Sequence, residues 1–274
     1  MRKILEYLGI TILFGISLIY TENITNVVKN NDSIMKNIKS ISDEYRVESV
    51  NAIVSDKDIV PGINGCEIDI NKSYEDMKKI NAFTDKMLKY KDLIPEISIT
   101  NIFDKYISSG NSKDRNVSIV VYIKDNVDNI NEIINIKLNV FLDSSILENG
   151  KVNISQNKRI YNGGNNLKYD DVIVEWMNDI ILDNYNKPNY CLNKDRSDDN
   201  LLVCARNKMH TISPKLIVNN TNTYEIKKQV QNGSILYFEE NSISKITEMS
   251  DYLIKKGYNI VYLDELLSEK KCEK

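Results

Sequence analysis

The sequence predicts an α/β protein: a mainly parallel sheet, open or closed into an irregular (β/α) barrel, behind a small α+β region and an N-terminal transmembrane helix. Three observations predict it. NVSIVVYI (116–123) is a near-continuous β-branched run, which suits a strand covered on both faces. Strand and helix signals then alternate to the C-terminus. At the other end, ILEYLGITILFGISLIY (4–20) is apolar apart from Glu6 and two hydroxyl residues, and follows Arg2-Lys3.

In chain order, residues 1–22 read as an anchor or signal segment. The apolar run is at the short end of the roughly 17–25 residues that cross a bilayer, and Thr21-Glu22-Asn23 offers no small-residue cleavage site. Either an uncleaved anchor or a removed signal exports the rest, so the expectation is a single-pass cell-membrane protein with its C-terminal domain outside the cytoplasm. Residues 23–44 read as a polar stalk with Val27, Ile34, Ile38 and Ile41 at loose helical spacing.

The α+β region is placed at 45–110. YRVESVNAIV alternates like a strand, and IVPGINGCEIDI carries Pro-Gly and Asn-Gly turn signals. Ser73-Tyr-Glu-Asp76 opens a helix through Tyr90, with Tyr74, Met77, Ile80, Thr84, Met87 and Leu88 on one face as core.

The main domain is placed at 116–268, after a Ser109–Ser112 linker. Helices are expected near 128–136, 170–184, 223–231 and 243–256. Strands are expected at 137–142, 187–191, 201–205, 215–218, 234–238 and 259–263. Ile173, Trp176, Met177, Ile180 and Ile181 form an apolar stripe with the lone Trp as core, and Gly257 stops the last long helix. Residues 269–274 form a charged, fraying tail.

Composition narrows function. With 42% hydrophobic and 27% charged residues and a net charge of −3, the chain offers no basic face for nucleic acid. Ala occurs only at Ala52, Ala82 and Ala205, within a bias to Asn, Ile, Lys and Asp typical of an AT-rich genome. Of the cysteines at 66, 191, 204 and 272, the expected disulfide joins Cys191 and Cys204, which flank a polar loop. No Cys-x-x-Cys is present, and the one histidine, His210, reads as a packing or surface residue.

From Asn116 to the end, the order of segments resembles the NodB-type polysaccharide deacetylases, exported enzymes that use a divalent metal to deacetylate N-acetylated sugars. The resemblance rests first on NGSILYFEEN and KKGYNIVYLDELL, similar to that family's Gly-Ser-Ile-Leu strand and its closing Lys-Gly-Tyr pattern. KLNVFLDSS resembles its Lys-Ala-Thr-Phe-Phe strand, and Lys187-Pro-Asn-Tyr190 its Arg-Pro-Pro-Tyr loop. Residues 45–107 look like an extension found with degenerate members in low-GC bacteria.

The resemblance implies an Asp base, a His acid and a metal held by Asp and two His. The Asp-Asp pair falls on Tyr122 and Ile123, the two metal-binding His on Gly163 and Leu167, and the acid on Glu239. A metal needs three or four lone-pair donors at about 2.0–2.3 Å, which Ile, Gly and Leu cannot supply. No cofactor and no catalytic residue are therefore expected.

What remains at the strand ends is Tyr122, Lys124, Asp125, Asp143, Lys158, Lys187, Tyr190 and Glu239: either the old cleft is simply filled in and solvated, or these residues line a residual cleft that binds sugar hydroxyls and stacks a ring on Tyr122 or Tyr190. Asp125, Asp143 and Glu239 could instead converge on Mg²⁺ or Ca²⁺, or be neutralised by Lys124 and Lys158. The leading expectation is an inactive deacetylase-like envelope protein binding cell-wall glycan or an envelope protein. An active carbohydrate deacetylase with a rearranged site and a structural or assembly protein are the alternatives.

Overall fold

The computed structural model describes residues 26–148, 150–270 and 272, with isolated positions 14, 15, 17 and 24. The expected anchor at 4–20 thus lies almost wholly outside the described residues. Among these, no helix is long and apolar enough to cross a membrane.

The elements begin α1 (Ser33–Ile41), β1 (Ile53–Val54), β2 (Asp58–Val60), β3 (Gly65–Ile68), α2 (Ile70–Ile80), β4 (Tyr90–Leu93) and β5 (Tyr106–Ile107). They continue β6 (Asn116–Ile123), α3 (Asp128–Asn131), β7 (Leu138–Leu142), α4 (Ser144–Leu147), β8 (Lys158–Asn162) and α5 (Asp171–Asn184). Then follow β9 (Tyr190–Leu192), α6 (Asp198–Arg206), β10 (His210–Ile212), β11 (Leu216–Val218), α7 (Thr223–Gln229), β12 (Ile235–Phe238), α8 (Ile246–Lys255), β13 (Asn259–Ile260) and α9 (Leu263–Leu266).

The chain divides into two compact units, 1–49 with 64–93 and 271–274, and 50–63 with 94–270. The region expected as one α+β domain at 45–110 is therefore split between them.

In the first unit the expected stalk is folded. Asp32 caps α1 by accepting from Ile34 N at 2.9 Å, and its second oxygen takes Lys78 Nζ at 2.7 Å and the Tyr74 hydroxyl at 3.2 Å. Ile34 and Ile38 pack with Ile68, Met77 and Leu88, and apolar burial overrides the polar composition. Asp69, not Ser73, caps α2, through Lys72 N at 3.1 Å. Asn81, left-handed at φ 50°, ends it well before Tyr90, which joins the antiparallel β3–β4 pair. Cys272 is no frayed tail residue: it is disulfide-bonded to Cys66.

In the second unit one sheet runs β1-β2-β5-β10-β9-β8-β7-β6-β12-β11, with β13 on β6. Every pairing from β2 to β11 is parallel, and β1 and β11 end the path. Val117, Ile119, Val121 and Ile123 of β6 face one core with Met177 of α5 and Met249 and Leu253 of α8. Val120 and Tyr122 face the other, with Phe141, Tyr161, Tyr190 and Tyr237.

β1 and β2 belong here because Asp58 pairs bidentately with Arg196 at 2.9 Å, and because the Glu269 carboxylate accepts Gly62 N at 2.7 Å, Ile99 N at 3.2 Å and the Ser98 hydroxyl. Glu269, expected in the tail, is buried.

Three local readings are corrected. Residues 201–205 are helical, within α6, because the Ser197 hydroxyl caps Asn200 N at 3.4 Å with Asp198 and Asp199 in the first turn. Trp176 is 38% exposed, while Val174, Met177 and Ile181 are the buried face of α5. The helix near 128–136 is only the single turn of α3. Gly257 does follow α8, at φ +80°, its N–H bonded to Ile254 O at 2.9 Å. Cys191 of β9 and Cys204 of α6 form the second disulfide.

Candidate functional site

The site lies past the C-terminal ends of β6 and β12. Parallel register sets Tyr122 beside Phe141 and Phe141 beside Tyr161, so these rings share one face of three adjacent strands. Asp143 leaves β7 as the cap of α4. Its carboxylate accepts Ser145 N at 3.0 Å, Ser145 Oγ at 2.8 Å, Asn166 N at 2.6 Å and the Tyr122 hydroxyl.

Only 1% of Asp143 is exposed, and no cation reaches it among the described residues. Burial alone would raise its pKa, but the donors of Tyr122, Asn166 and Ser145 outweigh burial and hold the carboxyl below its usual range. Tyr122 moves the other way: burial first, then the bond to Asp143, pushes its phenol up. The pair is a neutral phenol donating to a fixed carboxylate.

The positions that the sequence resemblance matches to metal ligands do not fit a metal. A β-carbon on Gly163 would lie 2.5 Å from Leu142 O and 3.0 Å from Tyr122 Cε2. Leu167 has a left-handed backbone, φ 57°, and packs against the aromatic core. Ile123 points into the opposite core. Among the described residues no three His, Cys, Asp or Glu side chains gather as a metal site, which removes the expected convergence of Asp125, Asp143 and Glu239.

A cleft of about 600 Å³ opens here, lined by Tyr122, Asp125, Asn126, Asn129, Lys194, Tyr237, Glu239, Glu240 and Asn241. A neighbouring hollow of about 480 Å³ shares Asn129, Glu240 and Asn241, and adds Glu132, Ile133 and Ile243 among its walls.

Of the expected residues, Tyr122, Asp125 and Glu239 meet in this cleft. Asp143 stands behind Tyr122. Lys124 is exposed beside it, its carbonyl accepting Ser145 Oγ at 3.1 Å.

Lys158, Lys187 and Tyr190 do not line it. Lys158 opens β8 instead of closing it, and its buried ammonium donates to Ile133 O at 2.7 Å and Asn157 Oδ1 at 2.8 Å. It therefore neutralises no carboxylate, and burial lowers its pKa to about 8. Lys187 is exposed ahead of β9. Tyr190 is buried edge-on against Tyr161 at 5.2 Å, and both hydroxyls engage Asp264, so its face is closed to a sugar ring.

His210 stacks on Phe103 at 4.6 Å, and burial holds it neutral with a pKa of about 4. Sequence reading missed Lys194 and Tyr237. Tyr237 was detectable, two residues before Glu239 in a strand whose alternate residues share a face.

No protein-family model matches the chain, and no curated protein matches it. Solved structures do. A CE4 family pseudoenzyme from Bacillus anthracis superposes with a TM-score of 0.62 at 19% identity, covering 88% of this chain and 97% of the other. A mutant of it gives 0.62 at 19%, covering 88% and 100%. A second mutant, described as having restored enzymatic activity, gives 0.59 at 18%, again covering 88% and 100%. The chain thus has the fold of a polysaccharide-deacetylase-like protein.

Proposed function

We propose that this chain is a catalytically inactive, deacetylase-like envelope protein that binds cell-wall glycan in the cleft beside Tyr122. Residues 4–20 hold it at the membrane, with the C-terminal domain outside the cytoplasm.

One observation carries the inactive reading. The Tyr122 ring and the Leu142 carbonyl occupy the space that a side chain at Gly163 would need, so one of the expected ligand positions is built over as well as substituted. That a CE4 relative in fold is itself described as a pseudoenzyme supports the same reading. The glycan reading draws on the cleft's make-up: phenols, amides and carboxylates around a volume in the range that takes small ligands.

The test is metal analysis of the purified full chain, with an acetate-release assay on N-acetylglucosamine oligomers and a glycan pull-down beside it. Expected are no stoichiometric zinc, no acetate, and glycan retention that Tyr122→Ala abolishes. Tightly held zinc or released acetate overturns the inactive reading. Retention unchanged by Tyr122→Ala overturns the cleft.

A further inference from the structure

The walls of the cleft are unevenly charged. Asp125, Glu239 and Glu240 face a single cation, Lys194, and Glu132 adds another carboxylate in the adjoining hollow. None of these four acids forms a salt bridge among the described residues. They do not bunch as a metal site does. Carboxylates spread along a groove suit a cation that is itself extended.

A second observation, independent of charge, concerns Tyr237. It is 3% exposed and lines the cleft, yet its hydroxyl makes no hydrogen bond among the described residues, and Lys194 covers its ring at 5.8 Å. The ring is buried while the hydroxyl opens on the cleft, so it is a polar group within reach of a ligand oxygen or nitrogen.

We propose that the cleft selects amine-bearing glycan, with protonated glucosamine units in place of N-acetylated ones, the ammonium groups facing Glu239 and Asp125 and a sugar hydroxyl meeting Tyr237. This rests on the glycan reading above and narrows it. An acetylated unit carries no charge to offset desolvating the carboxylates, whereas an ammonium group does. The second hollow, continuous with the first through Asn129, Glu240 and Asn241, gives room for further units.

The experiment is calorimetric titration of the full chain in detergent with a β-1,4-linked glucosamine tetramer, its fully N-acetylated counterpart, and spermine. The free-amine tetramer is expected to bind at least about tenfold more tightly than the acetylated one. Glu239→Gln and Asp125→Asn should each weaken it by about tenfold, and Tyr237→Phe by about three- to tenfold. Asp125 is exposed, so its variant tests the charge even if Glu239→Gln misfolds. Equal binding of the acetylated tetramer overturns the amine preference and leaves the glycan cleft standing. Binding of neither tetramer overturns both. Spermine binding as tightly as the free-amine tetramer reduces the cleft to general cation attraction and overturns the proposal.

Discussion

The ring of Tyr122 stands 3.0 Å from the place a β-carbon on Gly163 would take, two positions that the sequence resemblance matches to the base and a metal-binding histidine of the deacetylases. Each excludes what the other position would need for chemistry. An Asp at 122 would leave a void where the phenol now packs, and a His at 163 would collide with Leu142 O before it met Tyr122.

Restoring the ligands is therefore expected to fail in this chain. Gly163→Ala alone is expected to cost about 3 kcal/mol or more, read from urea unfolding. The triple variant Ile123→Asp, Gly163→His, Leu167→His should take up no stoichiometric zinc by metal analysis. Uptake would show that the loop after β8 yields readily.

Tyr122→Phe tests the bond to Asp143 without opening a cavity. Losing a hydrogen bond to a buried carboxylate should cost about 1.5–3 kcal/mol at neutral pH. Because the folded pKa of Asp143 is depressed, its contribution is present above the unfolded value of 3.8 and is lost as pH falls through the folded value. The Phe variant, with one donor fewer, should reach its acid-unfolding midpoint at a higher pH than wild type, followed by circular dichroism.

Lys158 gives the opposite end of the pH scale. Its folded pKa, about 8, lies below the 10.5 of a free lysine, so the unfolded chain binds more protons between those values. Stability attributable to this residue should rise from pH 8 towards 10.5. Against Lys158→Met, wild type should gain ground between denaturant titrations at pH 7 and pH 10. An unchanged difference would mean that the ammonium is solvated.

Glu269→Ala is expected to cost at least about 2 kcal/mol, since it strands the N–H groups of Gly62 and Ile99 in a buried setting. Glu269→Gln should lose less. Thermal unfolding of the pair orders the two losses.

Much of the second unit was legible in the sequence because its signals are long. The β-branched run of β6, the 14-residue helix α5 and the glycine after α8 leave few alternatives. Short segments misled. LLVCA in α6 has strand-like composition, and only the Ser197 cap with its trailing acids reveals a helix. The candidate site was half legible for a different reason. Residue type can be read from sequence, but which end of a strand a residue occupies depends on boundaries of one or two residues, and Lys158 and Tyr190 sit at the opening ends. The stalk failed because a single apolar stripe among polar residues is enough to dock a nine-residue helix once partners such as Met77 exist.

The bond between Cys66 and Cys272 sets an order of events at the ribosome. Cys66 is made early and its partner 206 residues later, with Cys191 and Cys204 appearing in between. Once Cys204 is made, three thiols are present with one native pair among them, and the correct mate of the first has still to arrive. Cleavage just ahead of Cys272 would leave Cys66 permanently widowed, a free thiol open to cross-linking with its neighbours.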